Sequence, residues 1–445
     1  MKLSKIAMLA AIACASYTSS MTASANDTIE LVSHCAAACD CGEPVCGCEP
    51  VDACADACAD NCDAGGCGLG DCLGGGCDGG CDSGCGCGLG GCLDGLCGDC
   101  CLGEQWSLFD GCCLDDCGIS VGGWLQYGYV SKANSLFNSY DHGQLNQAWI
   151  YAERAIDTSC GFDIGGRVDY MYGTDSQDTQ AFGTDPRGWD NGWDNGGNYG
   201  RAMPQLYLEA GYGDLSVKAG HFYTIIGWEV VTAPDNFFYS HAYTMYNSEP
   251  FTHTGILATY NVSDNVTVYG GWTEGWDSGF DDNGDNFIGG LSVGLSDALT
   301  VTYATVAGRF GEARFNGVEK GYMQSIVADL AVSDNLQYIF QTDFLDTEDA
   351  VGDTVRNTFD INQYLIYSFN DCWAAGGRFE WYNQEGVYSA NETDIYALTL
   401  GVNYKPHANV IVRPEVRWDW DDDQVAGLED GEDQTTFAVD TIFLF

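Results

Sequence analysis

The chain has 445 residues, enough for two or three domains or one large barrel. It carries 65 acidic against 16 basic residues, a net charge of −49, and no Lys or Arg occurs between Lys5 and Lys132. A basic footprint for a phosphate backbone is therefore absent, which excludes nucleic acid as a partner.

Taken in chain order, the first feature is a basic start (Lys2, Lys5), the apolar run "IAMLAAIACA" and the small residues Ala23 and Ala25. This reads as a secretory signal over residues 1–25, with the mature chain starting near Asn26. A membrane helix needs roughly 20 apolar residues, and this run is about half that. A lipoprotein signal at Cys14 is the weaker alternative, because Ala11 stands where a larger apolar residue usually precedes such a cysteine.

Residues 26–117 follow with a different composition. Twenty-one of the 24 cysteines lie between Cys35 and Cys117, and the segment holds 18 acidic and no basic residues. No aromatic residue occurs between His34 and Gln105. Such a Cys/Gly/Asp-rich irregular segment cannot build an ordinary apolar core and depends on cross-links or bound ions for order.

From residue 118 cysteine nearly vanishes, aromatics become frequent and a period of two sets in. In "GFDIGGRVDYMYG", Phe162, Ile164, Val168, Tyr170 and Tyr172 share one face, with Asp163, Arg167 and Asp169 on the other. In "MPQLYLEAGY", Leu206, Leu208, Ala210 and Tyr212 oppose Gln205, Tyr207 and Glu209. Sixteen segments read this way: 119–131, 145–156, 161–172, 203–212, 215–223, 255–262, 265–273, 287–295, 299–307, 321–332, 335–344, 358–369, 372–382, 394–404, 409–420 and 435–445. Most have the length of a tilted membrane strand, about 9–11 residues. Connections alternate between tight turns such as "GD", "SD" and "ND" and long loops rich in Asp, Asn and Gly.

The pattern predicts an all-β fold, a transmembrane antiparallel β-barrel of about 16 strands over residues 118–445. In a bilayer every backbone polar group must pair internally, so the sheet closes on itself. The apolar faces then meet outer-membrane lipid. Sixteen strands are too many for side chains to fill, and an aqueous lumen remains. Charges at strand midpoints belong on that side: Asp163, Arg167, Asp169, Glu209, Lys218, Arg378, Glu380, Arg413, Glu415, Arg417 and Asp419. Each of them, taken singly, is better explained as a wall-stabilising partner of a neighbouring strand.

The segments "VKAGHFYTIIGWE" (217–229) and "NQAWIYAER" (146–154), with the aromatic C-terminus at Phe445, resemble the OmpL-like family of β-barrel porins found in planctomycete envelopes. The resemblance covers residues 118–445 and implies an outer-membrane channel for small hydrophilic solutes. By analogy with porins, it implies a homotrimer. It also implies that loop 224–255 folds into the lumen as a constriction. Glu229, Asp235 and Glu249 would then sit near the narrow point, facing Arg167, Arg413 and Arg417 across it. A barrel of sixteen strands has both termini on the periplasmic side, so residues 26–117 are expected in the periplasm.

That compartment is oxidising, so disulfides are favoured over a thiolate metal cluster. Cys160 and Cys372 fall at short turns and are candidates for clamping the Cys-rich segment to the barrel, with disulfide partners in the periplasm. No metal site and no cofactor is expected. His221, His241 and His253 lack ligand spacing, and the acidic loops "FDDNGDN" (280–286) and "WDDD" (420–423) have at most a capacity for loosely held Ca²⁺. No GxSxG, HExxH or P-loop occurs, so an enzyme is not expected. With 14 basic and 47 acidic residues in 118–445, the mouths should favour cations. The alternative function is a structural envelope protein whose plugged barrel anchors a disulfide-linked Cys-rich network.

Overall fold

The structure, a computed structural model, describes residues 102–109, 114, 118–134, 136, 141–181, 189–195, 198–280, 284–311 and 319–445. The expected signal and almost all of the Cys-rich segment lie outside the described residues.

The chain forms one closed antiparallel barrel. Its strands are β1 (Ser120–Val130), β2 (Gly143–Arg154), β3 (Phe162–Gly173), β4 (Gly200–Ala202), β5 (Leu206–Tyr212), β6 (Leu215–Tyr223), β7 (Thr252–Ser263), β8 (Val266–Thr273) and β9 (Asp285–Ser296). They continue as β10 (Leu299–Gly311), β11 (Glu319–Ser333), β12 (Leu336–Glu348), β13 (Thr354–Asn370), β14 (Trp373–Glu385), β15 (Thr393–His407), β16 (Val410–Trp420) and β17 (Asp433–Leu444). Successive staves pair with each other, and β17 returns to β1 with Leu125 opposite Phe443.

β4 and β5 both pair with β3 and together make one stave, so the wall has sixteen staves. The sequence reads 203–212 as a single strand, and the structure breaks it. Pro204 sits in the gap with no N–H for the ladder, and Gln205 bridges it by accepting from the Asp169 N–H at 2.9 Å.

The period of two explains the wall. Phe162, Ile164, Leu208, Tyr212, Phe437 and Phe443 are exposed on the outer face. Aromatics gather at both rims, as in the Trp373–Tyr404 stack at 4.2 Å near the short turns and the Phe359–Trp381 contact at 5.6 Å near the long loops. The inner face is polar on one side of the barrel. On the other it carries an apolar cluster that includes Phe222, Leu257, Ile288, Val306 and Met323.

The short turns share one chemistry. Ser263, Ser296 and Ser333 each accept, on Oγ, the N–H two residues on (3.4, 3.3 and 3.4 Å), and Asn370 does the same for Cys372 at 3.0 Å. At this end residues 102–109 run along the β15–β16 turn. The Leu102 carbonyl accepts from Ala408 N–H at 3.0 Å, Trp106 N–H donates to Asn409 Oδ1 at 2.8 Å, and the Trp106 ring lies 6.4 Å from Phe443.

Candidate functional site: the loop inside the barrel

Residues 224–251, between β6 and β7, turn inward rather than away from the barrel. They contain a 3-10 turn (Ala233–Asp235) and the short helix α2 (Tyr243–Ser248), the helix before it being α1 (Ser176–Thr179) between β3 and β4. The loop is rich in apolar and aromatic residues that would be costly on a solvated surface, and the structure buries them. Ile226 joins the apolar inner cluster. Val231, Ala233, Met245 and Phe251 pack with Trp124 and Trp149 of β1 and β2. Two wall glycines make room for the ring pair Phe237–Phe238. A Cβ on Gly376 would lie 2.6 Å from the Phe237 ring, and one on Gly401 would lie 3.1 Å from Phe238.

Hydrogen bonds from the inner wall to the loop backbone fix its path. Arg413 Nη1 donates to the carbonyls of Ala233 and Asn236 (2.8 and 2.6 Å), while its Nε and Nη2 grip Asp440 at 3.0 and 2.6 Å. Arg378 donates from Nη1 to Glu229 Oε1 and the Ser240 carbonyl, both at 2.6 Å, and from Nε to Glu380 at 2.9 Å. Arg417 holds Asp419 and Glu380, both at 2.7 Å. Wall carboxylates meet loop N–H groups in return: Glu415 accepts from Tyr239 at 2.9 Å and Glu380 from Tyr243 at 2.8 Å. On the opposite side Gln147 donates to the Val231 carbonyl at 2.9 Å and accepts from Ala233 N–H at 3.1 Å. Charge-assisted bonds of this kind are about twice as strong as neutral ones. Burial alone would push the Glu229 carboxyl up, but Arg378, the His241 ring and the Ala242 N–H outweigh it and hold it at about 2.

This geometry corrects one expectation. Arg413 and Arg417 do not face Glu229, Asp235 and Glu249 across an open gap; they lie buried beneath the loop, bonded to its backbone and to wall carboxylates. Arg378, Glu380, Glu415 and Asp419 are buried there with them. The reason is that strand parity fixes which face a side chain takes, not what covers that face. Of the loop acids, Glu229 and Glu249 are buried against the wall, whereas Asp235 is exposed, within electrostatic reach of Arg167.

Accessible inward-facing charges sit toward the short-turn end on β2 to β6, with Asp329 of β11 a further one. Arg167 bonds Glu153 at 3.0 Å and Asp169 at 2.7 Å and lies 4.3 Å over the Tyr151 ring. Lys218 stands opposite Glu209 in register and 4.2 Å over Tyr207. Asp169 itself is buried and also accepts from Trp149 Nε1 at 3.0 Å. Asp163 lies at the rim, where it pairs with Arg154 at 3.0 Å and closes the β2–β3 turn.

The histidines are used as hydrogen-bond partners. His221 Nδ1 meets Thr254 Oγ1 at 2.8 Å, His253 Nε2 meets Thr224 Oγ1 at 3.1 Å, and His241 Nδ1 lies 3.2 Å from Glu229. Among the described residues no group of three or more His, Cys, Asp or Glu is placed to hold a metal ion. Asp281 and Asn283 of the first acidic loop lie outside the described residues. Cys160 departs from its expected role: it is exposed and free at the β2–β3 turn. Cys372 is disulfide-bonded.

Sequence reasoning missed several residues at this seam. Arg356 on β13 bonds Glu319 at 2.8 Å and the Asn247 carbonyl at 2.7 Å, and its guanidinium lies 4.7 Å over Trp276. Asp343 on β12 and Asp360 on β13 are buried beside Glu249. Their inward parity was the signal available, and it applies to these strands as it does to β14 and β16.

No curated protein matches the chain. Among solved structures, an anion-selective porin from Comamonas acidovorans aligns with TM-score 0.53 at 10% identity, over 74% of this chain and 99% of that one. Pseudomonas putida OprB aligns with TM-score 0.52 at 12% identity, over 75% and 95%, and trimeric OmpT of Vibrio cholerae with 0.50 at 12%, over 74% and 99%. At these identities the likeness shows the fold. The family model described as "Putative beta-barrel porin-2, OmpL-like" matches residues 118–445. The chain therefore belongs to the OmpL-like family of outer-membrane β-barrel porins.

Proposed function

We propose that the barrel is a water-filled channel for passive diffusion of small hydrophilic solutes, that it favours cations, and that loop 224–251 is its constriction. The observation that carries this reading is the inward loop, pinned to the inner wall by Arg356, Arg378 and Arg413. With the buried arginines neutralised by their partners, the accessible inward-facing charges include Glu153, Glu209, Asp235 and Asp329 against Arg167 and Lys218. That balance is acidic, as are the chain's mouths, and an acidic path concentrates cations. The anion selectivity named for the Comamonas protein does not transfer, because selectivity follows side chains and not the fold.

The reversal potential in a salt gradient tests the preference. The wild-type value is expected on the cation side, and Asp235→Asn should shift it toward zero; an anion-side wild-type value would refute this part. A trimer is the expected assembly, as for the OmpT form named above.

A second reading has one observation in its favour. Residues 102–109 are bonded to the rim, and Cys372, in the adjoining turn, is disulfide-bonded. We propose that the Cys-rich segment, once exported by the signal at 1–25, is tethered there in the periplasm. A barrel serving only as its anchor would be folded but silent in a bilayer.

A further inference from the structure

The two ends of the inner loop are held by different chemistry. At the first end, Glu229 is matched by Arg378 and His241. At the second end, where Glu249 comes back against Gly227, three carboxyl groups meet with no basic partner among them. The Gln341 side-chain N–H bridges Glu249 Oε1 and Asp343 Oδ2. The Asp343 N–H donates to Asp360 Oδ1 at 3.2 Å. Glu249, Asp343 and Asp360 are all essentially inaccessible to solvent. Asp343 Oδ1 and Asp360 Oδ2 have no hydrogen-bond partner.

Among the described residues no element packed around the cluster supplies a positive charge to it. Ser325 stands opposite Asp343 on β11, and Thr244 of α2 bonds Asn362 of β13 at 2.8 Å. Tyr364 and Tyr382 lie near Glu249 and Asp360, respectively. Tyr382 of β14 stands opposite Asp360, and the charged β14 group within electrostatic reach of Asp360 is another acid, Glu380, to which Arg378 and Arg417 are both committed. Arg356 is committed to Glu319 and the Asn247 carbonyl. Carboxylates this close, in a dry site, cannot all ionise.

We propose that Glu249, Asp343 and Asp360 form a proton-operated latch that seats the second end of the loop on the β12–β13 wall and lets go as pH rises. The inference rests on reading the loop as the constriction. Burial, reinforced by the neighbouring Asp343, pushes the Glu249 carboxyl well above the usual range. A carboxyl raised in the folded state stabilises seating fully at low pH and loses that contribution as pH climbs through its folded value. Ionisation adds like charges side by side, and the loop end moves toward the lumen.

The test is single-channel recording of the full-length protein from neutral pH to about pH 10, set beside an Asp343→Asn/Asp360→Asn variant. Wild type should become noisier and shift toward the conductance of a loop-deleted channel as pH rises, while the amide variant, with nothing to ionise but Glu249, should stay near its neutral-pH value. A wild-type conductance independent of pH, or an equal alkaline shift in the amide variant, overturns the latch. Glu249→Gln serves if the double variant does not fold. Hydrogen exchange over residues 243–251 gives a readout independent of conduction. Alkaline loss of protection in wild type only supports the latch even in a silent barrel, and unchanged protection sinks it while leaving the channel reading intact.

Discussion

Removing residues 228–250 is expected to raise the single-channel conductance severalfold while leaving the barrel folded. The expectation follows from where those residues lie. Sixteen staves enclose an aqueous lumen unless something occupies it, and here the inner loop does. Its side chains pack on both inner walls, with Met245 and Phe251 against the β1–β2 side and Phe238 beside Val327 and Ile339 of β11 and β12. The ladder that closes the barrel owes nothing to the loop: β6 pairs with β7 from Leu215↔Tyr260 to Tyr223↔Thr252, and β17 pairs with β1. Heat-modifiable migration on a gel separates a folded variant from a misfolded one. An unchanged conductance in a folded variant would show that the narrow point lies elsewhere.

Replacing Arg378 by Ala should unseat the loop without excising it. The guanidinium is buried and meets Glu229, Glu380, the Ser240 carbonyl and hydroxyl, and the His241 carbonyl. Removing one partner of a buried ion pair costs about 3–5 kcal/mol, because the other charge is left without compensation. Two carboxylates are stranded here, Glu229 and Glu380, although Arg417 still holds the second. The penalty falls on the loop contact and not on the wall, so the expected phenotype is a noisier, wider channel and faster proteolysis within 229–242. Arg378→Lys keeps the charge but loses the multipoint geometry, and should fall between wild type and Ala. A quiet, wild-type channel in Arg378→Ala would show that the wall does not hold the loop through this residue.

The staves were legible because lipid on one side and water or protein on the other impose a period of two that nothing else in the chain mimics. Segment 215–223 coincides with β6, and most others differ from their strands by a few residues at the ends. The break at Pro204 was legible in principle and was read through, since the flanking alternation continues on both sides. The seam inside the barrel is a different matter. Arg378 and Glu229 lie 149 residues apart in sequence, and Arg413 and Ala233 lie 180 apart. Arg378 and Arg413 both reach the loop backbone from the wall. Parity cannot tell a charge facing water from a charge facing a loop backbone, so Arg413 and Arg417, expected across a gap, are found under a cover. Asp343 and Asp360 carried the same parity signal, but as acids in a very acidic chain they did not stand out. The glycines opposite Phe237 and Phe238 have no sequence signature at all, because a socket is defined by what enters it.

The central claim is that the folded barrel conducts. Full-length protein reconstituted in a planar bilayer in a KCl gradient tests it most directly. The expected result is stable conductance steps, smaller than those of the 228–250 deletion, with a cation-side reversal potential. Barrels that are folded and inserted yet electrically silent, in wild type and deletion alike, would contradict it and leave the barrel as an anchor.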